Sequence, residues 1–554
     1  MLAFIIALAF LSAGLDAPFA KDQEPQSAQW VVDIVQHSHW LLPYDYYGYV
    51  ERKPPLFYWL SALAVEAAGG HVNEAFARLP SLIAAAAITA EVMFWVSAEF
   101  DGLTGWLAFL FLLGMYGFAS RATLALTDML MTALTLTGYY LLQPLLEGRI
   151  STRRVAAIGF ILGLGILTKG PIALVLAAVA ATIYLLLMRA NPLRMLTARW
   201  PWAILAIASA IAALWYVPAF IEGRKSDLLG VFAQENFGHF MPAAMGGTGE
   251  ASRPFYYIAI RLLGGTLPLC LLLPSVIAAL PRLDERAHRA VTYQSAMVLT
   301  VLLIFSLASA KRDDYILPAI PPLAIIIAAL FSPALSAIAT NAARLLRDVF
   351  TGFIALAAGL GTITILILIS DGQQISLSRL KLHSADASFA QIFVSGVAHH
   401  EAPFLGLLTA IVIGAVLCLY GLWLRNDSRS GFGLAIIALA LTLTWTALLK
   451  PREAATRSLR LFAREVHERL GTATIYVPWQ DPEFAYYYGI GVPPLPRALA
   501  RYGPPADRTI YFVARPDQLF VLAPSVRERL LSILKANVIG GGGPPELYQL
   551  RSLR

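Results

Sequence analysis

Charge is what this sequence has least of. Asp, Glu, Lys and Arg make up 14% of its 554 residues, against about 25% in soluble chains. Hydrophobic residues make up 58% and the mean hydropathy is +0.65, which excludes an ordinary soluble protein. Cysteine is nearly absent. Cys270 and Cys418 both lie inside hydrophobic runs, so neither a disulfide framework nor a cysteine-based metal centre is available. Lysine is rare as well, with eight in the chain. The C-terminal tail has no glycine-rich phosphate loop at a strand-to-helix turn, and no nucleotide site is readable there. Residues 1–20 carry no basic residue ahead of their apolar core, which favours a retained first helix over a cleaved signal peptide.

What is there is a succession of apolar runs near the length that crosses a bilayer as helix, about 17–25 residues. They lie near 1–16, 79–98, 103–119, 124–144, 155–168, 171–188, 200–218, 255–280, 293–309, 313–331, 349–370, 403–424 and 432–449. The pattern predicts a polytopic α-helical membrane protein with about thirteen transmembrane helices. With a cytoplasmic N-terminus, the gaps facing the cytoplasm hold Arg149, Arg153 and Arg154; Arg189, Arg194 and Arg199; Arg282, Arg286 and Arg289; Arg344 and Arg347; Arg425 and Arg429. That distribution follows the positive-inside bias. It also accounts for the net charge of +7 without nucleic acid as a partner.

The same topology puts loops 17–78, 219–254 and 371–402, and everything after Lys450, on the outer side. Two domains are predicted. Residues 1–450 form the transmembrane domain with its large first outer loop 17–78, and residues 451–554 form a small soluble α/β domain. In the tail, "ATRSLRLFAREVHERL" and "PSVRERLLSILKANV" read as helices, and "TATIYVPW" and "RTIYFVARP" as strands. A scaffolding or acceptor-docking role is expected of it.

Basic residues in short outer loops run against the orientation bias, and each needs a reason. Arg121 lies in "ASRATLALTDMLM", Lys169 in "LTKGP", and Lys311 with Arg312 in "SAKRDDYILP". Snorkelling to the interface explains any one of them. Several on one side, with Asp128, Asp313 and Asp314 among them, point to a shared polar site. The first loop repeats the chemistry. "VERKPPLFYWL" sets Glu51, Arg52 and Lys53 before a Pro-Pro step that keeps Lys53 extended, and Tyr58 follows in an aromatic interfacial segment. "EPQSAQWVVDIV" reads as a helix opening at Pro25. Glu24 can then serve as a cap, whereas Asp22 has no such local duty. Tyr216 in "WYVPAF", Glu235, Asn236 and His239 in "FAQENFGHF", and Arg253 in "SRPFYY" add to the outer face. His399 and His400 beside Glu401 offer ligands for a metal, but read most simply as an exposed loop pair.

The ordered set "KDQEPQS", "KPPLFYWL" with "ARLPSL", "RATLALTDMLMTAL", "LTKGP", "WYVPAF", "EN" followed by "RPFYY", and "KRDDYILPAIPPLA" resembles the GT-C membrane glycosyltransferases. Among these it resembles the type of the protein O-mannosyltransferases and lipid A aminoarabinose transferases (glycosyltransferase families 39 and 83). The resemblance covers most of residues 15–330. It implies the GT-C fold, a bacterial inner-membrane location with the site and tail facing the periplasm, and inverting transfer of a monosaccharide from a polyprenyl-phosphate carrier. The acceptor would be an envelope lipid such as lipid A, a glycan or a protein. A carboxylate would take the acceptor's proton while cations hold the departing phosphate.

Carried over by motif, the acids are Asp22 or Glu24, and Asp128. The phosphate-binding cations are Lys53 and Lys169, joined by Arg121, Arg253, Lys311 and Arg312. The pocket residues are Glu51, Tyr58, Tyr216, Glu235, Asn236 and Tyr315. Relatives read Asp-Glu at the head of the first-loop helix, where this chain reads Asp22-Gln23-Glu24, and Asp22 is preferred as base. No cofactor is implied, and a divalent metal stays open because no tight ligand spacing stands out. The rival reading is a transporter or flippase for a lipid-linked sugar. Such carriers have internal repeats and midplane polar sites, whereas the charges here cluster at helix ends on one side.

Overall fold

The computed structural model describes residues 1–19, 23–51, 53–222, 253–333, 341–370, 384–471, 473–502, 504, 509–536 and 544–550. It divides into two compact units. The first collects Met1–Gly14, Arg52–Phe57 and Arg78–Leu449; the second collects Leu15–Glu51, Tyr58–Ala77 and Lys450–Arg554.

The first unit is helical. Among the described residues, seven helices are long and apolar enough to cross a membrane, and up to nine if each of two bent pairs counts as one span. The chain is a multi-pass membrane protein. Three expected spans are not continuous helices. The run near 103–119 divides into Gly102–Leu113 and Tyr116–Ala122, bent by 68°, and that near 255–280 into Tyr257–Gly265 and Leu269–Arg282, bent by 105°. The run near 313–331 is a 3-10 segment, Asp313–Ala319, followed by the helix Ile320–Ala329, whose ten residues are all buried. Gly114, Gly264, Gly265 and Pro268 stand at the breaks of the first two. Pro318 withholds a backbone donor inside the third.

Two close packings position the site. Gly159 and Gly163 bring the helix Thr152–Lys169 against Arg199–Glu222. A Cβ at 159 would stand 2.7 Å from Ile207 Cβ, and one at 163 would stand 2.8 Å from Ile211 Cβ. This small-xxx-small face lets the Ile207 and Ile211 side chains seat directly on the backbone of the facing helix. Helices Thr127–Leu146 and Glu285–Leu307 are joined by Tyr139 and Tyr293, whose rings stack 4.0 Å apart and 2° from parallel. Tyr139 Oη donates to Tyr293 O at 2.8 Å, and Tyr293 Oη donates in return to Tyr139 O. Buried phenols therefore satisfy each other's helices, as an apolar interior requires. Farther along, the buried Arg347 donates to Asp427 (2.7 Å) and to Leu330 O (3.1 Å). This arginine, expected in a cytoplasmic loop, is a structural tie.

The second unit carries a four-stranded sheet of order β1-β2-β4-β3, formed by β1 (Ile475–Tyr476), β2 (Ile510–Ala514), β3 (Leu530–Lys535) and β4 (Glu546–Leu550). β1 and β2 are parallel and the other pairs antiparallel. Strand alternation sends Val513 and Leu547 to a core with Phe462, Val466, Ile475 and Phe484. Phe512 and Tyr548 go to the opposite core with Leu522 and Val526. The helix expected over "PSVRERLLSILKANV" is overturned. Only Pro524–Arg527 is helical, and Leu530–Lys535 is β3. The free edge of β4 offers backbone pairing from Leu530↔Leu550 to Lys535↔Glu546, and that pairing outweighs a leucine spacing compatible with helix. The first-loop helix is Gln23–His37, two residues longer at its start than expected. It belongs to this unit, where Gln29 Nε2 donates to Pro482 O (2.9 Å), and Phe19 N donates to Tyr487 Oη (3.2 Å). Tyr487 Oη in turn donates to Glu74 (2.8 Å).

Replacing Gly159 by Leu forces the Thr152–Lys169 and Arg199–Glu222 helices apart. Overpacking of this kind is expected to destabilise by about 1–3 kcal/mol or more, read as a lower thermal midpoint of the detergent-solubilised protein. Gly264→Ala, where a Cβ meets nothing within 4 Å, is expected to leave the midpoint in place.

Candidate active site

The polar site of the first unit is built from helix ends. Asp128 stands in the first turn of Thr127–Leu146, where aligned peptide dipoles favour negative charge. Lys169 is the last residue of Thr152–Lys169, where they favour positive charge. Gly170, at φ 77°, stops that helix, and Pro171 precedes the next, Ile172–Leu187. The "LTKGP" sequence is thus a helix end with its cation placed at the terminus. Lys169 Nζ donates to Asp128 Oδ1 at 2.5 Å, and the two side chains are only 21% and 15% exposed. Lys53, just ahead of Pro54 and Pro55, and Arg312 both bring positive charge to bear on this pair. Lys169 Nζ also lies 5.5 Å from the ring centroid of Tyr315, which stacks on Phe305 at 4.6 Å.

A second set of ion pairs continues from the same loop. Arg121, in the last turn of Tyr116–Ala122, donates from Nε to Asp314 Oδ1 (2.9 Å) and from Nη2 to Asp313 O (3.3 Å). Asp313 receives Arg253 Nη1 (3.4 Å), Arg261 Nη2 and the Tyr257 hydroxyl. The buried Lys311 Nζ donates to Ala308 O (2.6 Å). Cations outnumber carboxylates across Lys53 to Tyr315, so the cluster carries a positive surplus at the ends of several helices. Such a surplus can hold a phosphate and take up the charge that develops on a departing phosphate oxygen.

Of the residues singled out in the sequence, Lys53, Arg121, Asp128, Lys169, Arg253, Lys311, Arg312 and Tyr315 fall in this unit and this polar stretch. Tyr216 lies in the same unit, in an apolar seam with Ile166, Ala208 and Ala212. Glu24, Glu51 and Tyr58 are buried residues of the second unit. Asp22, Glu235, Asn236 and His239 lie outside the described residues. His399 Nδ1 hydrogen-bonds Ser395 O at 2.7 Å. Arg261 was not among the expected residues. Its signal was a lone charge inside the apolar run "YIAIRLLGG". Among the described residues, the side chains whose ligand atoms converge as a metal site would need are Asp33, His37 and His39, in the second unit.

Comparison with known proteins bears on this arrangement. The family model described as dolichyl-phosphate-mannose-protein mannosyltransferase matches residues 52–216, the segment that holds Lys53, Arg121, Asp128 and Lys169. The crystal structure of ArnT from Cupriavidus metallidurans bound to undecaprenyl phosphate superposes with a TM-score of 0.71 at 16% identity, covering 99% of this chain and 97% of that one. The chain has the GT-C fold of the ArnT-type glycosyltransferases. The apo form of the same ArnT gives a TM-score of 0.69 over the same shares. By sequence, the chain is 27% identical over 329 residues to the undecaprenyl phosphate-alpha-4-amino-4-deoxy-L-arabinose arabinosyl transferase of Aeromonas salmonicida, and the match covers 56% of each chain. The enzyme of the same name from Pectobacterium atrosepticum is 25% identical over 61% of each. The chain thus spans somewhat more than half the length of the curated relatives it matches.

Lys169→Met alone leaves the Asp128 carboxylate without its direct partner in a largely buried site. The expected cost is about 3–5 kcal/mol of stability. The double variant Asp128→Asn/Lys169→Met is expected to recover part of it. A thermal-denaturation double-mutant cycle reads the coupling, and additive losses would show that the pair does not act as a unit.

Proposed function

We propose that the protein is a glycosyltransferase that moves a monosaccharide from a polyprenyl-phosphate carrier to an envelope acceptor at the outer face of a bacterial inner membrane. The observation that carries this reading is the Asp128–Lys169 pair at facing helix ends, with Lys53 and Arg312 adding positive charge around it. A single carrier phosphate needs cations and no nucleotide-binding loop, which matches the chain's chemistry. The relatives named as arabinosyl transferases of undecaprenyl phosphate-linked aminoarabinose favour an undecaprenyl-phosphate donor; lipid A is an acceptor that the family resemblance of the sequence implies.

In this mechanism Lys53, Lys169 and Arg312 bind the donor phosphate, and Asp128 holds Lys169 on it. The acceptor hydroxyl attacks the anomeric carbon from the side opposite the phosphate. The sugar–phosphate C–O bond breaks as the new glycosidic bond forms, with inversion. The bonding electrons pass to the phosphate oxygen, where the cations stabilise them. The hydroxyl proton passes to a first-loop carboxylate. Asp22 is assigned this role over Glu24, because Glu24 is fully buried in the opening turn of its helix.

The test is transfer by the purified protein in nanodiscs from a synthetic undecaprenyl-phosphate sugar, followed by mass spectrometry, alongside envelope lipids of cells with and without the gene. Asp22→Asn and Asp128→Asn are each expected to lower turnover by about 10²–10⁴-fold with membrane insertion intact. Lys53→Ala is expected to act mainly through a higher KM for the donor. Full turnover in both carboxylate variants would overturn the assignment. Movement of intact donor across the bilayer without transfer would favour the carrier reading.

A further inference from the structure

A second side-chain cluster lies in the other unit. The helix Gln23–His37 ends with Ser38 in the left-handed region, at φ 60°. Its N–H bonds back to Ile34 O at 2.9 Å. This turn reverses the chain and returns His39 toward the helix it has just left. Asp33 Oδ1 then lies 2.9 Å from His37 Nδ1, and Asp33 Oδ2 lies 2.9 Å from His39 Nδ1. The two imidazole planes are 28° apart with centroids at 5.8 Å. One ligand atom from each of the three residues lies within 4.8 Å of the others.

The supporting contacts are those of a built site. The Asp33 carboxylate is nearly buried and accepts the Tyr44 N–H at 2.8 Å, so its orientation is set by backbone. Outer contacts of this kind commonly orient metal-binding carboxylates. The two imidazoles are about half exposed, with side-chain values of 59% and 49%. That leaves an open side for water as a fourth ligand. Surface hydrogen bonds between a carboxylate and two flexible histidines contribute little by themselves, whereas two imidazoles and a carboxylate match the preferences of zinc. Ligand atoms at about 2.0–2.2 Å from a tetrahedral ion sit roughly 3.4 Å from each other, and the ligand atoms of Asp33, His37 and His39 already lie within 4.8 Å of one another. Each neutral imidazole would coordinate through Nδ1 and carry its proton on Nε2; a protonated one would release a proton to solvent.

We propose that Asp33, His37 and His39 form a zinc site that clasps the C-terminal end of the Gln23–His37 helix to the segment 38–45. That segment is also held at Trp40 O, which accepts the Trp59 indole N–H at 2.6 Å. The metal fixes the first-loop chain between two helices of its own unit. The inference is independent of the reaction proposed above.

The test uses the untagged full-length protein in nanodiscs, stripped with chelator and dialysed against micromolar zinc. Elemental mass spectrometry is expected to find about one zinc per chain. The variant His37→Ala/His39→Ala should lose it, and His399→Ala/His400→Ala should keep it. Cobalt offered in place of zinc should give the intense visible bands of tetrahedral coordination in the wild type and not in the first variant. Should that variant be poorly produced, His39→Asn alone is expected to weaken zinc binding at least about tenfold. Equal zinc in wild type and the His37/His39 variant, or zinc that follows His399 and His400, would overturn the proposal. So would a cobalt spectrum without tetrahedral bands.

Discussion

The structure of the first unit turns on one ion pair. Asp128 and Lys169 are both largely withdrawn from solvent, and an isolated charge in such a place costs several kcal/mol. Each is tolerable because of the other, and because each sits at the helix terminus whose dipole favours its sign. Everything else in the polar stretch follows that requirement. Arg121 answers Asp314, and Arg253 with Arg261 answers Asp313. The cations beyond those needed for pairing supply the positive potential a phosphate would meet.

Helix ends hold a site accurately only if the helices do not slide. The Tyr139–Tyr293 exchange ties the helix whose first turn holds Asp128 to the one that leads into Lys311–Tyr315. The Gly159–Gly163 face fixes the helix that ends at Lys169 by seating Ile207 and Ile211 against its backbone. Neither device touches the polar residues. Both are interior contacts whose consequence appears about two to four turns away, at the termini.

Much of this was legible in the sequence, because in a chain so poor in charge every charged residue off the expected side requires explanation. Lys53, Arg121, Asp128, Lys169 and Arg312 stood out for that reason. What could not be read depended on distant contacts. The 105° break before Leu269 is set where Gly265 meets Gly117, a residue of another helix. β3 is a strand because β4 is there to pair with it. Asp33, His37 and His39 have a visible i, i+4 pair, but His39 joins only through the left-handed turn at Ser38. Arg261 hid within an apolar helix, and its acceptor Asp313 lies 52 residues away.

The discontinuous makeup of the second unit has a consequence for biosynthesis. Gln29 leaves the ribosome 453 residues before its acceptor at Pro482, an interval of roughly 20–90 s at elongation speeds of about 5–20 residues per second. Through that delay the nascent first loop has no permanent lodging, although the bilayer helices between can already be inserting. β4 then emerges after β2 and β3 yet takes the place between them. The sheet therefore closes by late intercalation, and the early segment gains its partners in this unit only when translation has almost run its course.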